Sequence, residues 1–409
     1  MTTVVIIGTL DTKGVEYLFL QQQIRAAGCT TLLVDAGVMG AQGATPDILH
    51  TDVAAAGGGD ATALATARDR STAVATMAAG AAAIAARLFA AGKLHGLVAI
   101  GGSGNATIAA AAAAVLPVGV PKLIVSTMAA GDTRPYVGAS DVTMMYSVVD
   151  IAGINSVSAR ILTNAANAIA AMAQGYAGAP IAAAGKPLIG ASMFGVTTPC
   201  VDIARARLEQ LGYEVLVFHA TGSGGRALEA LVAGGLLAGV LDATTTEWAD
   251  ELVGGVLGAG PTRLDAAAQR GTPQVVSLGA LDMVNFGAFA SVPARFAQRN
   301  LYRHNASVTL MRTTPDECAE LGRIIAQKLN AASGPVALYV PLRGVSMLAT
   351  AGQPFADAAA DAALFGAIRT HLGSHVERYE IDSDINDPTF AQAMADRLHA
   401  MIQEVAHGA

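Results

Sequence analysis

Residues able to bind phosphate follow the first apolar run of the chain. The segment "GTLDTKG" begins at Gly8, whose missing side chain allows close approach of a ligand. Thr9 and Thr12 add hydroxyls, Asp11 adds a carboxylate, and Lys13 adds an ammonium group at the start of a helix-like run. A glycine turn that leads into a helix N-terminus binds anions through backbone N–H groups. The segment therefore predicts a phosphate cradle, although Asp11 or Thr12 could simply cap the helix.

A second loop of the same kind follows the third apolar run. The segment "GGSGNATIA" places three glycines before an alanine-rich helix. It is not a Walker motif, because no Lys-Ser or Lys-Thr pair closes it, and Thr107 takes the third-glycine place of a dinucleotide fingerprint. A turn that only packs the helix against the sheet is the alternative. Two such loops at strand ends predict a phosphate-bearing ligand. Its predicted contacts here are Gly101, Gly102, Ser103, Gly104, Asn105 and Thr107.

A long polar loop, "STMAAGDTRPYVGASD", follows the fourth run. An arginine can pair with phosphate through two parallel hydrogen bonds, and carboxylates can hold Mg²⁺, for which Asp11 and Asp132 are the candidates. Asp132 and Arg134 could instead pair with each other at the surface. Asp35 ends the second run, where α/β proteins often place a ribose-binding acid, although a cap or turn explains it nearly as well. The predicted contacts in the long loop are Thr127, Met128, Gly131, Asp132 and Arg134.

The second half of the chain contains a rival motif. In "HATGSGGRA", Gly222, Gly224 and Ala227 have the spacing G-x-G-x-x-A, and Asp242 ends the next apolar run twenty residues after Gly222. This pattern is formally a dinucleotide fingerprint and founds the alternative of an NAD-dependent oxidoreductase using residues 222–227. A short glycine pattern arises easily by chance in a chain with 45 glycines.

Other strand ends in this half supply groups for acid–base chemistry. His219, Glu247 and His304 are the candidates for proton transfer. Gly224, Arg226 and Arg343 are the candidates for holding a small acidic metabolite. Together they predict a second, catalytic site in a cleft between two domains.

The elements that must position these loops are short apolar runs alternating with longer helix-like segments, the pattern of parallel strands with crossover helices. The predicted class is α/β, with two Rossmann-like doubly wound domains of mostly parallel sheets. We expect a nucleotide-binding domain over residues 1–177, a linker over 178–187 and a second domain over 188–409. The predicted strands cover 3–8, 30–35, 96–101, 122–127, 142–147, 187–192, 213–220, 237–243, 273–279, 307–313, 335–341 and 376–382, and the predicted helices of the first domain cover 14–27, 72–91, 105–115 and 156–174.

Composition narrows the class of protein further. The 409 residues are 53% hydrophobic and 14% charged, which excludes a disordered chain. The net charge of −7 and the scattered Lys and Arg residues disfavour nucleic acid as a partner. The alanine-rich runs are interrupted, so no membrane span is expected. Three widely spaced cysteines and an N-terminus without signal-peptide features favour the cytoplasm.

Eight short motifs in order carry a family resemblance. The chain resembles, over essentially its whole length, the bacterial, fungal and plant proteins that share the ATP-binding N-terminal region of the tomato resistance protein against tomato mosaic virus. The motifs are "GTLDTKG", "GGSGNAT", "STMAAGDTRPYVG", "GVTTPCVD", "HATGSGGRA", "LDATTTE", "LGALDMVNFG" and "INDPTFA".

The resemblance implies binding of ATP with magnesium, two Rossmann-like domains and a homodimer. Plant and fungal relatives continue into a TIM-barrel-like domain, whereas this sequence ends at "MIQEVAHGA". A separate TIM-barrel partner protein could supply that domain. Three functions therefore stay open at this point: an ATP-binding enzyme acting on a small acidic metabolite, a non-enzymatic ATP-dependent protein-interaction module, and the NAD-dependent oxidoreductase.

Overall fold

The structure is a computed structural model that describes residues 1–178 and 185–408. The chain divides into two compact units, with the boundary between residues 183 and 184. Residues 179–184, which make up most of the predicted linker, lie outside the described residues.

The first unit contains one five-stranded sheet with helices on both faces. Its elements are β1 (Thr3–Gly8), α1 (Leu10–Ala26), β2 (Thr30–Asp35), α2 (His50–Ala56), α3 (Ala61–Ala67), α4 (Arg70–Ala90), β3 (Gly96–Gly101), α5 (Ser103–Ala114), β4 (Lys122–Ser126), α6 (Arg134–Val137), β5 (Thr143–Tyr146) and α7 (Ser156–Gly178). All five predicted strands of this unit are present. Helices α2 and α3 were missed by the sequence prediction, because short alanine-rich and glycine-rich segments carry little periodicity.

The strands of this unit are parallel and lie in the order β2-β1-β3-β4-β5. Strands β1, β3 and β4 are almost wholly buried, because α2, α4 and α5 cover one face of the sheet and α1 and α7 cover the other. The chain order reverses between β1 and β3. In a doubly wound sheet, such a switch point opens a crevice beyond the carboxyl ends of the strands, where ligands bind.

Helix α4 is long and apolar enough, by length and composition, to cross a membrane, and it is the one such helix within the described residues. Its Met77, Ala81, Ile84 and Ala85 are buried in the core of the first unit. A core helix passes the same composition test, so α4 is explained as part of the α/β domain.

The second unit contains two sheets. Its elements are β6 (Leu188–Met193), α8 (Thr198–Gln210), β7 (Glu214–His219), α9 (Ser223–Ala233), β8 (Gly239–Thr244), α10 (Glu247–Val253), α11 (Asp265–Arg270), β9 (Gln274–Gly279), β10 (Met283–Phe286), β11 (Leu301–Arg303), β12 (Thr309–Arg312), α12 (Pro315–Asn330), β13 (Val336–Pro341), α13 (Ala358–His371), β14 (Glu377–Ile381) and α14 (Pro388–Gly408). Six of these strands form a parallel sheet in the order β14-β13-β9-β8-β6-β7. This unit is therefore also doubly wound, as predicted.

The second sheet of this unit corrects one sequence expectation. The run at 307–313 was placed with the parallel strands, but its β12 pairs antiparallel with β10 and β11. The sequence did not predict either partner strand, because three or four residues are too few to show the alternation of apolar and polar side chains that indicates a strand.

Candidate functional site

A cavity of about 540 Å³ lies at the carboxyl edge of the first sheet. Its lining includes residues that directly follow β1, β2 and β3, which are neighbours at the switch point. The two glycine-containing loops singled out in the sequence therefore open into the same cavity. The predicted residues that line it are Thr9, Asp11, Thr12, Lys13, Gly102, Ser103, Gly104 and Asn105.

The N-terminus of α5 supplies backbone N–H groups to this cavity that have no hydrogen-bond partner among the described residues. Gly102 is the N-cap residue and has no side chain to accept a hydrogen bond from the first turn. The first turn contains no acidic residue. Ser103 and Gly104 both line the cavity, so the free amides and the positive end of the helix dipole are available to an anion. A phosphate or carboxylate is the natural ligand of such a helix end.

Three cationic side chains line the same cavity as this helix end. Lys13, Arg68 and Arg70 line the cavity, and within residues 1–178 and 185–408 none of them pairs with a carboxylate. The Lys13 ammonium group donates a hydrogen bond to the backbone carbonyl of Ile151. The Arg70 guanidinium lies beside Gly104 in the first turn of α5. These charges add to the anion-binding character of the cavity.

The sequence did not predict Arg68 and Arg70 as ligand contacts. They lie at the corner between α3 and α4. Arg68 ends α3 in a left-handed conformation, with φ of 53°. Asp69 then caps α4 by accepting hydrogen bonds from the amides of Ser71 (3.0 Å) and Thr72 (3.3 Å). The "DRS" cap was a readable helix-start signal. This cap lies about 55 residues after the first glycine loop and about 30 residues before the second, so the sequence gave no sign that they meet.

Asp11 is positioned by the loop after β2. Its Oδ2 accepts hydrogen bonds from the amides of Val38 (3.1 Å) and Met39 (3.2 Å). Its Oδ1 is buried and has no hydrogen-bond partner among the described residues. Asp150 is a second carboxylate in the lining. In the part of the chain that the structure describes, no three His, Cys, Asp or Glu residues cluster as a ready-made metal site.

A hydrogen bond to the buried Tyr17 hydroxyl holds the Asn105 side chain in place. The Tyr17 hydroxyl lies 2.5 Å from the carbonyl oxygen of Ile100 and 3.0 Å from that of Ile7, and it accepts from the amide of Ile100 at 2.9 Å. Asn105 Nδ2 donates to the Tyr17 hydroxyl at 2.7 Å and to the Ile100 carbonyl at 2.9 Å. Burial raises the pKa of Tyr17, so the hydroxyl stays neutral. This network ties α1 and the start of α5 to the ends of two central strands.

One wall of the cavity is apolar. Leu64 comes from α3, Val74 and Met77 come from α4, and Ile108 comes from α5. The cavity thus combines a cationic, amide-rich part with a hydrocarbon part. Ligand pockets typically pair apolar walls with a few convergent polar groups, which here would suit a molecule with an anionic tail and an apolar ring.

Several predicted contacts lie outside this cavity. Asp132 and Arg134 form an exposed ion pair at 2.7 Å, which lowers the pKa of Asp132 to about 2. The surface-pair alternative is therefore the observed one, and Asp132 is not placed to hold a metal in the cavity. The other predicted contacts absent from the lining are Gly8, Asp35, Gly101, Thr107, Thr127, Met128 and Gly131.

Two of these residues have clear structural tasks. Asp35 is fully buried, and its Oδ1 accepts hydrogen bonds from the amides of Leu10 (3.2 Å) and Gly37 (2.9 Å). Burial raises the pKa of its carboxyl group. The Tyr17 ring occupies the space where a side chain at Gly8 would lie. Asp35 therefore holds the loops after β1 and β2 by hydrogen bonds, and Gly8 leaves room for the Tyr17 ring.

In the second domain, the side chain of Glu247 occupies the position beside the dinucleotide-like loop where a ligand phosphate would bind. Glu247 is buried, and its Oε1 accepts hydrogen bonds from the amides of Gly222 (2.6 Å) and Gly225 (3.0 Å). Its Oε2 accepts from Arg263 Nε at 2.7 Å. Arg263 also pairs with both oxygens of Asp242, at 2.5 and 2.6 Å. The amides that would bind a pyrophosphate and the acid that would bind a ribose are thus engaged internally, which speaks against an NAD site here.

The remaining second-domain candidates are dispersed. His219 is exposed and stacks on Phe194 with ring centroids 5.3 Å apart. Arg226 donates to the carbonyl of Gly258 at 3.1 Å, and Arg343 pairs with Asp382 at the surface. Gly224 packs tightly against the backbone of residue 219, and His304 is exposed near β11. Neither the cavity of the first domain nor the one beside α9 and α11 includes any of these residues or the buried Glu247.

The fold and the cavity define a protein of two Rossmann-like domains, the first of which carries a cation-lined crevice at its switch point. The chain belongs to the uncharacterised protein family UPF0261. The N-terminal domain model of this family matches residues 2–178, and its C-terminal domain model matches residues 186–402.

Relatives confirm the family resemblance. A UPF0261 protein of Clostridium tetani is 51% identical over 402 residues, which cover 98% of this chain and 99% of that protein. The ToMV resistance protein Tm-1(GCR237) of Solanum lycopersicum is 46% identical over 310 residues, which cover 74% of this chain and 41% of the tomato protein. A Streptomyces glycosyltransferase crystallised with thymidine diphosphate aligns at 14% identity, covering 99% of this chain and 96% of that one, with a TM-score of only 0.19, too low to bear on function.

Proposed function

We propose that the first domain binds a nucleotide in the cavity at its switch point. The observation that supports this most is the uncapped N-terminus of α5 facing Lys13, Arg68 and Arg70. The phosphates would accept hydrogen bonds from the amides at the start of α5 and pair with the three cations. The base would lie against the apolar wall formed by α3, α4 and Ile108.

ATP is the nucleotide that we favour, because the family resemblance implies it. A polyphosphate suits a cavity that is lined by three cations and by a helix N-terminus. Mg²⁺ would enter with the phosphates and neutralise part of their charge, and Asp11 is the candidate residue to hold it. NADH is the weaker choice, since the second-domain loop that suggested it is closed by Glu247.

Two roles are compatible with ATP binding. The tomato relative is a ToMV resistance protein, and by analogy with it we favour a non-enzymatic ATP-dependent protein-interaction module. The enzymatic alternative, acting on a small acidic metabolite, would draw on His219 and His304 for proton transfer; Glu247 is less suited because its carboxylate is already bound. A homodimer, a separate TIM-barrel partner and a cytoplasmic location stay predictions from the sequence.

A nucleotide thermal-shift panel tests the proposal. ATP, ADP and NADH are each added with and without magnesium, and ligand at a hundredfold excess over its Kd should stabilise the folded protein by about 2.7 kcal/mol. The Arg68→Ala, Arg70→Ala double variant should weaken ATP binding at least tenfold, because hydrogen bonds to charged groups contribute about 1.5–3 kcal/mol each.

Arg87→Ala is the matched control, since Arg87 is exposed at the other end of α4 and absent from the cavity lining. It should bind ATP as the wild type does. Stabilisation by NADH alone, or equal ATP affinity in the double variant and the wild type, would refute the proposal.

A further inference from the structure

We propose that the first domain binds purine nucleoside triphosphates without selecting adenine. This inference rests on the proposed nucleotide site and names the class of ligand that the site accepts. The apolar part of the cavity contacts the ring of the ligand by shape alone, because the hydrogen-bond donors around it are already used within the protein. ATP, GTP and inosine triphosphate (ITP) therefore bind alike.

The apolar wall of the cavity offers hydrocarbon to a flat ring. Its side chains come from α3, α4 and α5 and contain no nitrogen or oxygen atom: Leu64, Ala65, Ala73, Val74, Met77 and Ile108. The wall adjoins the end of α5. A Cβ atom built on Gly104 would lie 3.5 Å from Arg70 Nη2 and 3.8 Å from Val74 Cγ2. A purine attached to phosphates at this helix end therefore lies within reach of the wall.

The backbone amides of the wall are paired within its helices. The amide of Leu64 donates to the carbonyl of Asp60, and that of Ala73 donates to the carbonyl of Asp69, each at 3.0 Å. The other wall residues lie beyond the first turn of α3, α4 or α5. There each amide pairs with the carbonyl four residues earlier. Among the described residues, the wall therefore has no free N–H group for a ring nitrogen.

The loop after β2 also lines the cavity, and its amides are used as well. The amides of residues 36–39 all donate to groups of the first domain. Their acceptors are the Gly8 carbonyl at 2.7 Å and the carboxylates of Asp35 and Asp11 at 2.9–3.2 Å. The loop after β2 therefore supplies no amide to a base.

The donors that stay available are those proposed to bind phosphate. They are the first-turn amides of α5, the hydroxyls of Thr9 and Ser103, and the charged groups of Lys13, Arg68 and Arg70. Adenine N1 accepts a hydrogen bond, as does O6 of guanine or hypoxanthine. Once the phosphates engage these donors, no other donor among the described lining residues can tell the purines apart.

Backbone carbonyls do not restore selectivity. A carbonyl accepts from the amino group of adenine and equally from N1–H of guanine or hypoxanthine. A site that hydrogen-bonds its substrate rejects the wrong one by about 10⁴–10⁵, whereas an apolar pocket separates ligands of similar shape far less. Purines share their ring shape, so the wall accepts all of them.

Isothermal titration calorimetry in magnesium tests this inference with ATP, GTP, ITP and inorganic tripolyphosphate. ITP is the sharpest probe, because hypoxanthine has nearly the shape of adenine but exchanges donor and acceptor along its edge. We expect the Kd values of the three nucleotides to agree within about tenfold. Tripolyphosphate carries no ring and reports on the phosphate part of the cavity alone.

Leu64→Ala and Val74→Ala shorten two half-buried side chains of the wall. Each should weaken all three nucleotides by the same factor, about tenfold, because it removes apolar contact with the ring. Tripolyphosphate binding should not change. Val115→Ala is the matched control, since Val115 is exposed at the C-terminal end of α5 and absent from the lining. Circular dichroism checks that all variants are folded.

Three results would overturn the inference. The first is ATP binding more than about tenfold tighter than GTP or ITP. The second is a wall variant that leaves the nucleotides unchanged or weakens tripolyphosphate as much as it weakens them, because the ring would then not lie on the wall. The third is a changed ratio of ATP to GTP affinity in Arg68→Ala, because Arg68 would then contact the base.

The same titrations separate this inference from the nucleotide proposal. If the wild type binds ATP, loses it in the Arg68→Ala, Arg70→Ala double variant and still rejects ITP, only the inference on base selection fails. If the wild type binds neither a nucleotide nor tripolyphosphate, the nucleotide proposal itself fails, and this inference fails with it.

Discussion

Replacing Tyr17 with phenylalanine removes one hydroxyl that joins the core to the proposed site. The ring stays apolar and of almost the same size, so packing around Gly8 is kept. What is lost is the acceptor for the buried amide of Ile100 and one of the two acceptors for Asn105 Nδ2. The substitution therefore isolates the hydrogen-bond network from the hydrophobic core.

The expected cost can be worked from these bonds. A buried amide left without an acceptor costs about 1–3 kcal/mol, and the second, partial loss at Asn105 adds about 1 kcal/mol. The free energy of unfolding should therefore fall by about 2–4 kcal/mol, a large part of the 5–15 kcal/mol typical of a folded protein.

Urea unfolding followed by circular dichroism measures this loss of stability. Tyr176→Phe is the matched control, because Tyr176 lies in the same domain, is half-buried, and its hydroxyl has no hydrogen bond within the described residues. A Tyr17→Phe variant within about 0.5 kcal/mol of both the control and the wild type would refute the account of the network.

Two further predictions concern buried carboxyl groups of the second domain. Glu247→Gln should lower the free energy of unfolding by about 3 kcal/mol, because it breaks a buried ion pair with Arg263; ATP affinity should not change, and unchanged stability in urea would contradict the structural role. Burial raises the pKa of Asp282 to about 6, so its carboxyl favours the folded state when protonated. Relative to Asp282→Asn, the wild type should lose up to about 3 kcal/mol of stability as pH rises from 4 to 7. A pH-independent difference between these two proteins in urea would rule this out.

The strands and the first glycine loops could be predicted from sequence because their causes are local. A strand buried on both faces must be a short run of large apolar residues, and "TVVIIG" and "GLVAIG" satisfy this without reference to the rest of the chain. The carboxyl ends of parallel strands meet at one edge of a sheet. That rule alone predicts that Lys13 and Ser103 face the same space.

The sequence could not decide which polar groups stay free, because that depends on partners distant in the chain. Asp132 forms an ion pair with Arg134, and Glu247 accepts hydrogen bonds from the amides of the 222–225 loop. Two motifs that predicted ligand sites therefore have their polar groups paired within the protein. Conversely, Arg68 and Arg70 lie in a segment without any motif. They reach the cavity because the α3–α4 corner packs over the switch point. Spacing along the chain determines the backbone loops, whereas tertiary packing determines which charges are left for a ligand.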